Sequence, residues 1–202
     1  ARPDLQIKAP TASRAAVISD ADLTSARVYV LRPGPLQPPV RTGEDLRRRV
    51  LDSLAVGAFN RRLGAKIQTG KLPFEDAGSF SSDLTGICQL IVYGDLEPGE
   101  RLYPGEIEET KKVFLTQAEQ NIKNENLRQG MAFAQSLSAS SANGDVHMSA
   151  AETLNQLKAI FDAADQKTVS SHFAQLMDPT NALFMVAIRS LGEVPTEADV
   201  LA

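Results

Sequence analysis

Apolar residues in this chain follow two different periods, and the changes of period mark where strands give way to helices. Ala15-Ala-Val-Ile18 and Ala26-Arg-Val-Tyr-Val-Leu31 are short runs rich in β-branched and aromatic residues, separated by the turn-like Ser19-Asp-Ala-Asp22. Both read as strands. From Thr42 the period becomes helical, with Leu46, Val50, Leu54, Ala58 and Phe59 on one face, which is predicted to be core. Glu44 and Asp45 fall in the first turn, where carboxylates suit the helix dipole. Gly64 is expected to end this helix. Arg47, Arg48, Arg49, Arg61 and Arg62 read as a solvated face. Arg32-Pro-Gly-Pro-Leu-Gln-Pro-Pro39 suits neither a helix interior nor a central strand, so a stiff connection is expected there.

Alternation returns from Leu72 to Ser82, with Phe74, Asp76, Gly78 and Phe80 on one side of an extended segment. Asp83-Leu-Thr-Gly86 leads into Ile87–Tyr93, and the two runs together predict a β-hairpin. Gly94–Gly105 reads as loop. Helical spacing then resumes with Ile107, Phe114, Leu115, Ala118 and Ile122, just after Pro104. Leu127, Met131, Ala134 and Leu137 continue an apolar stripe, and Ser136–Gly144 reads as a serine-rich loop. Ser149 and Glu152 have the spacing of a capping box, with Leu154, Leu157, Ile160 and Phe161 turned inward beyond it. Thr168 is expected to cap a short helix that places Val169, Phe173 and Leu176 in the core and ends at Pro179. Ala182–Ile188 is expected to be a final buried strand.

The coarse order is β-α-β-β-α-α-(α)-β. It predicts an α+β fold, a two-layer α/β sandwich whose mixed, largely antiparallel sheet carries helices on one face. Residues 1–13 read as a linker or arm, 14–190 as a single domain, and 191–202 as a C-terminal tail or linker.

A net charge of −4 over 202 residues argues against a nucleic-acid partner, which needs a basic surface. No run approaches the roughly 20 apolar residues of a membrane span. Cys88, the single cysteine, sits in a strand-like run and reads as a buried thiol. The chain opens on Ala1 rather than a methionine, so it is expected to be processed or cut from something longer. Only two histidines occur. His172 lies between Val169 and Phe173 and reads as an edge-of-core residue; His147, beside Asp145, reads as solvent-exposed. Neither lies in a helical His-x-x-Glu-His segment, the spacing that sets two zinc ligands on one helix face with a carboxylate base between them. Glu106, Glu108 and Glu109 crowd a helix start, where dipole complementarity accounts for them.

Several strings together resemble the repeating unit of pitrilysin/insulinase-type zinc peptidases. They are Ile18-Ser-Asp-Ala-Asp-Leu-Thr24 before a strand, Leu54-Ala-Val-Gly-Ala-Phe-Asn-Arg-Arg-Leu63 in the first long helix, Pro73-Phe-Glu-Asp-Ala-Gly-Ser-Phe80 after it, and Glu106-Ile-Glu-Glu-Thr-Lys-Lys112 at the next helix. Their order and spacing, over about Arg14 to Ser190, carry the resemblance. It implies a β-α-β-β-α-α metallohydrolase-like unit within a longer chain. In the family one N-terminal unit holds zinc, while the C-terminal half holds none and in many members lends an arginine and a tyrosine to the reacting carbonyl. Lacking the histidine motif, this chain is similar to a zinc-free unit, with the first unit of the C-terminal half as the best match.

On that resemblance the tyrosine position falls on Phe74 and the arginine position near Ile67, beside Lys66. Phe74 has no hydroxyl to donate to an oxyanion and Ile67 has no charge. Lys66 and Phe74 therefore stand as candidate chamber residues, with no catalytic residue and no metal ligand expected here. Zinc would sit in another unit, the partners would be sibling units and a peptide substrate, and the compartment would be the periplasm. The alternative is a scaffold or assembly unit of the same fold without a proteolytic role.

Overall fold

The computed structural model describes residues 11–23, 26–34, 38–70, 76–82, 88–92, 104–125, 130–176, 178, 180–190 and 193–202. The elements, in chain order, are β1 (Arg14–Asp20), β2 (Arg27–Gly34), α1 (Gly43–Gln68), β3 (Ser79–Ser82), β4 (Cys88–Val92), α2 (Pro104–Lys123), α3 (Gly130–Asn143), α4 (Ala150–Ala163), α5 (Gln166–Leu176), β5 (Leu183–Arg189) and α6 (Glu197–Leu201). They fall into two compact units. One is helical and drawn mainly from Pro38–Arg61 and Arg101–Ala174; the other holds the sheet, from Asp4–Gln37, Arg62–Glu100 and Gln175–Ala202.

The sheet has five strands in the order β1-β5-β2-β4-β3. Only β1 and β5 run parallel, with Arg14 opposite Leu183 and Asp20 opposite Arg189. The other pairings are antiparallel, so the fold class is α+β with a mixed, mainly antiparallel sheet. The hairpin expected after the first long helix is present as β3 and β4, paired from Ser79↔Val92 to Ser82↔Gln89 and joined through β2 to the sheet that holds β5. Burial alternates on entering β3: Ala77 and Ser79 are buried while Phe80 is 48% exposed.

The expectation that Arg32–Pro39 lies outside any central strand needs correcting. β2 runs through Pro33 to Gly34, opposite Gln89 and Cys88 of β4. On the other flank its pairing with β5 stops at Leu31. Pro33 thus has a sheet neighbour on one side only, an edge-like position of the kind that tolerates proline.

In the helical unit, α1 supplies the centre: Leu51, Leu54, Ala55, Ala58 and Phe59 are all fully buried. Phe59 packs on Phe173 of α5 with ring centroids 5.1 Å apart, and Phe114 of α2 on Phe161 of α4 at 6.2 Å. Offset aromatic pairs at these separations add about 0.5–1.5 kcal/mol to the burial of their area. α1 and α2 come close at Gly57, where a Cβ would lie 2.8 Å from Thr110 Cγ2. Thr110 is buried and its hydroxyl donates to Glu106 O at 2.7 Å, which holds the methyl in place.

Three element boundaries differ from expectation. α1 passes through Gly64 and ends at Gln68, with Gly70 beyond it at φ 66°. Among the described residues a Cβ at Gly64 would meet nothing within 4 Å, so the helix bears the ordinary glycine cost of ~1 kcal/mol there. Ser136–Asn143 is helix, the second half of α3, rather than loop. α5 begins at Gln166, because Asp165 Oδ1 accepts from Thr168 N at 2.8 Å; Asp165, not Thr168, is the cap. The C-terminal stretch also carries structure, since α6 is closed by a capping box of Thr196 and Asp199 and packs beside β1.

Carboxylates cap four helices. Asp45 accepts from Thr42 N at 3.0 Å, and Glu152 from Ser149 N at 2.9 Å in the expected box. Asp165 and Asp199 do the same for α5 and α6. Hydrogen bonds from Thr42 to Asp45, from Ser149 to Glu152, from Thr168 to Asp165 and from Thr196 to Asp199 hold each carboxyl below its ordinary range. Folded values below unfolded ones contribute stability above the unfolded pKa and lose it as pH falls through the folded value. Helix content should therefore weaken on acidification below about pH 4, read by far-ultraviolet circular dichroism and urea midpoints. A plateau down to pH 2 would contradict this.

Gly57→Ala should destabilise the fold by about 1 kcal/mol, because overpacking of roughly 1–3 kcal/mol outweighs the helix-propensity gain. Adding Thr110→Ser removes the clashing methyl and should recover most of that loss in a double-mutant cycle of urea melts.

Candidate functional site

Lys66 lies half-buried in the last turn of α1, followed by Ile67, also half-buried. The turn is closed by Thr69, whose hydroxyl donates to the carbonyls of Ala65 and Lys66 at 3.0 Å each. Ile67, near which the resemblance placed the family's arginine, presents an aliphatic side chain. Phe74 lies outside the described residues. The two candidate positions are therefore described on one side only, as a helix end with one ammonium.

The arginines of α1 part company. Arg61 is exposed and reaches Glu109 of α2 at 3.6 Å. Arg62, expected on the solvated face, is instead 5% exposed, because the face of α1 that holds Leu63 turns it inward as well. Arg47 and Arg48 pair within the helix to Glu44 at 3.8 Å and Asp45 at 3.1 Å. Such exposed pairs contribute little, ~0–1 kcal/mol each. The acidic start of α2 is likewise occupied: Glu108 bonds Lys111 and Glu109 bonds Lys112, both at 2.9 Å. The Lys112 hydrogen bond is the main reason the Glu109 carboxyl sits below its usual range.

The histidines are placed as expected. His172 is half-buried on α5, its Nδ1 2.8 Å from Asp52 Oδ1 of α1. The pair ties α5 to α1. Among the described residues no hydroxyl or thiol bonds its other nitrogen. His147 is exposed in the α3–α4 connection, edge-on to Phe133 at 5.9 Å. Among the described residues no three histidine, cysteine, aspartate or glutamate side chains gather where they could share a metal ion. Cys88 lies on β4.

One constellation escaped the sequence reading. Asp145 Oδ1 accepts from Val40 N at 2.7 Å, and its Oδ2 lies 3.4 Å from Arg49 Nη1. Val146 N donates to Val40 O at 2.8 Å, and Arg49 Nη2 to Pro38 O at 3.3 Å. These bonds fasten the segment before α1 to the α3–α4 connection. Beside them opens a cleft of about 290 Å³ lined by Arg49, Asn121, Ser136, Asp145, His147 and Thr153, among others. Arg49 and Asp145 neutralise each other, so the cleft offers no net charge to recruit an ion. The only sequence signal was Gly144-Asp145, a turn pair; a partner about a hundred residues away leaves no local trace.

Comparison with known proteins sharpens the class. No protein-family model matches the sequence, and no curated protein matches it. Solved structures do. The periplasmic protease PqqL from Escherichia coli superposes on 100% of this chain at 17% identity, with a TM-score of 0.84. The solved first half of PqqL covers 96% of the chain at 18% identity and a TM-score of 0.82. A predicted insulinase family protease from Yersinia pestis covers 95% at 12% identity and 0.70. The chain spans 25% of the PqqL chain, 46% of its first half and 45% of the Yersinia protein. The fold is thus that of one unit of the insulinase/pitrilysin-type proteases, as the sequence strings implied. Because the first half of PqqL fits nearly as well as the whole, the likeness is not particular to a C-terminal half.

Asp145→Ala should cost about 2 kcal/mol, since it strands the Val40 N–H and the Arg49 guanidinium, and Asp145→Asn should recover part of that. Chemical denaturation of the three proteins checks it; equal midpoints would refute the fastening role.

Proposed function

We propose that this chain is a non-catalytic unit of a larger zinc metalloendopeptidase and forms part of the wall of its peptide chamber. The observation that carries this reading is the superposition of the entire chain on a quarter of a solved protease, joined to a sequence in which neither His147 nor His172 has the spacing of a zinc motif. The metal, the activated water and its glutamate base belong, in this reading, to another unit. Ile67 supports a wall rather than a reacting surface, because it cannot balance charge developing on a carbonyl. Lys66 beside it is a point charge without the planar fork of arginine.

Sibling units and a peptide are the partners this implies, and the periplasm is the proposed compartment, by analogy with PqqL. Within the parent, the sequence strings favour the first unit of the C-terminal half. The superposition on the first half of PqqL keeps a zinc-free unit of the N-terminal half open beside it. A scaffold role without proteolysis is the second reading, supported by the uncharged Ile67; it would leave the parent's zinc motif degraded.

The test is enzymatic. The purified chain, supplied with zinc, should bind less than one equivalent tightly and should show no chelator-sensitive cleavage of quenched fluorescent peptides. The longer reading frame should cleave them and carry an intact His-x-x-Glu-His segment. Chelator-sensitive cleavage by the chain alone would overturn the proposal.

A further inference from the structure

Helix α3 is unlike the other long helices of its unit. α2, α4 and α5 each bury two or three side chains, whereas α3 buries none over Gly130–Asn143. It contains no Asp, Glu, Lys or Arg. Met131 is 70% exposed, Phe133 44% and Leu137 37%, and Val146 in the connection that follows is 55% exposed. Phe133, Ser136, Leu137 and Ser140 recur at helical spacing on one stripe, and Ser136 and Ser140 line the cleft. The apolar stripe read through Met131 and Leu137 is thus at the surface. A helix of this length draws most of its stability in water from a packed face, and α3 has none among the described residues. The absence of lysine and arginine removes the usual attraction to an anionic membrane surface.

We infer that α3 and Val146 form the docking face for another unit of the same fold within the same polypeptide, one that presents an apolar, uncharged surface. This rests on the reading of the chain as one unit of a larger protease. The choice of occupant follows from the relatives: this chain covers about a quarter of PqqL and about half of its first half, so the solved proteins carry further chain covalently joined to the matched part. A tethered neighbour acts at an effective concentration near millimolar, which a free second copy cannot match. Phe133 and Leu137 are the anchors, and the small Ser136 and Ser140 allow close backbone approach.

The experiment compares amide hydrogen exchange over 130–143 in the longer polypeptide and in this chain alone. Exchange at least about 100-fold slower in the longer polypeptide is expected. Phe133→Ser with Leu137→Ser should abolish that protection there and expose α3 to protease, while shifting the thermal midpoint of the isolated chain by less than about 1 °C. Val113→Ser, at a position 54% exposed on α2, should do neither. Equal exchange in both proteins would overturn the inference and leave the functional proposal standing. Protection that appears in the isolated chain only as its concentration rises would overturn it in favour of a second copy. A reading frame without further units of this fold would overturn the functional proposal together with it.

Discussion

Strand β5 lies between β1 and β2, and the sheet depends on that insertion. β1 and β2 follow one another in sequence, yet neither pairs with the other; each waits for Leu183–Arg189 to arrive from the far end of the chain. The join is fastened at both ends of β1, by Arg14 N to Ala182 O and by Ser190 N to Asp20 O. Closing so long a loop costs only a few kcal/mol more than closing a short one, but it makes the sheet late and non-local in folding. Within the helical unit, α1 and the helices after Pro104 bury Phe59, Phe161, Val169 and Phe173.

The acidic surplus of the sequence, a net charge of −4, finds much of its use in that scaffold. Asp45, Glu152, Asp165 and Asp199 each take a backbone N–H at a helix start, and Asp145 takes that of Val40. Glu108 and Glu109 answer lysines one turn on. A carboxylate holding a helix end is committed to its ionised form and makes a poor general acid at neutral pH. The charge pattern therefore belongs to helix ends and to the joint between segments.

Most of the fold was legible because its signals are local. The β-branched runs at 15–18 and 26–31, the stripe from Leu46 to Phe59, and the Ser149/Glu152 box all have causes within a few residues. What escaped reading depends on neighbours distant in sequence. Pro33 lies in β2 past the point where the pairing with β5 stops at Leu31. Gly64 does not end α1, since a glycine in open space is a cost rather than a stop. Gly57 is read as needed only when Thr110 is seen against it. The serine-rich half of α3 lacks every ordinary mark of a helix, having neither buried stripe nor charge pairs. Of the two candidate chamber positions, Lys66 lies in the last turn of α1, beyond the glycine expected to end that helix; Phe74 lies outside the described residues.

β1 is one margin of the sheet, seven residues long, and α6 packs beside it. A bare margin of that length offers a row of backbone groups to any passing strand. The five residues of α6, which look dispensable in a sequence, thus stand as a guard against fibre-like self-association. Whoever shortens this chain at Ser190 for ease of handling should meet a precipitate before meeting an unfolded protein.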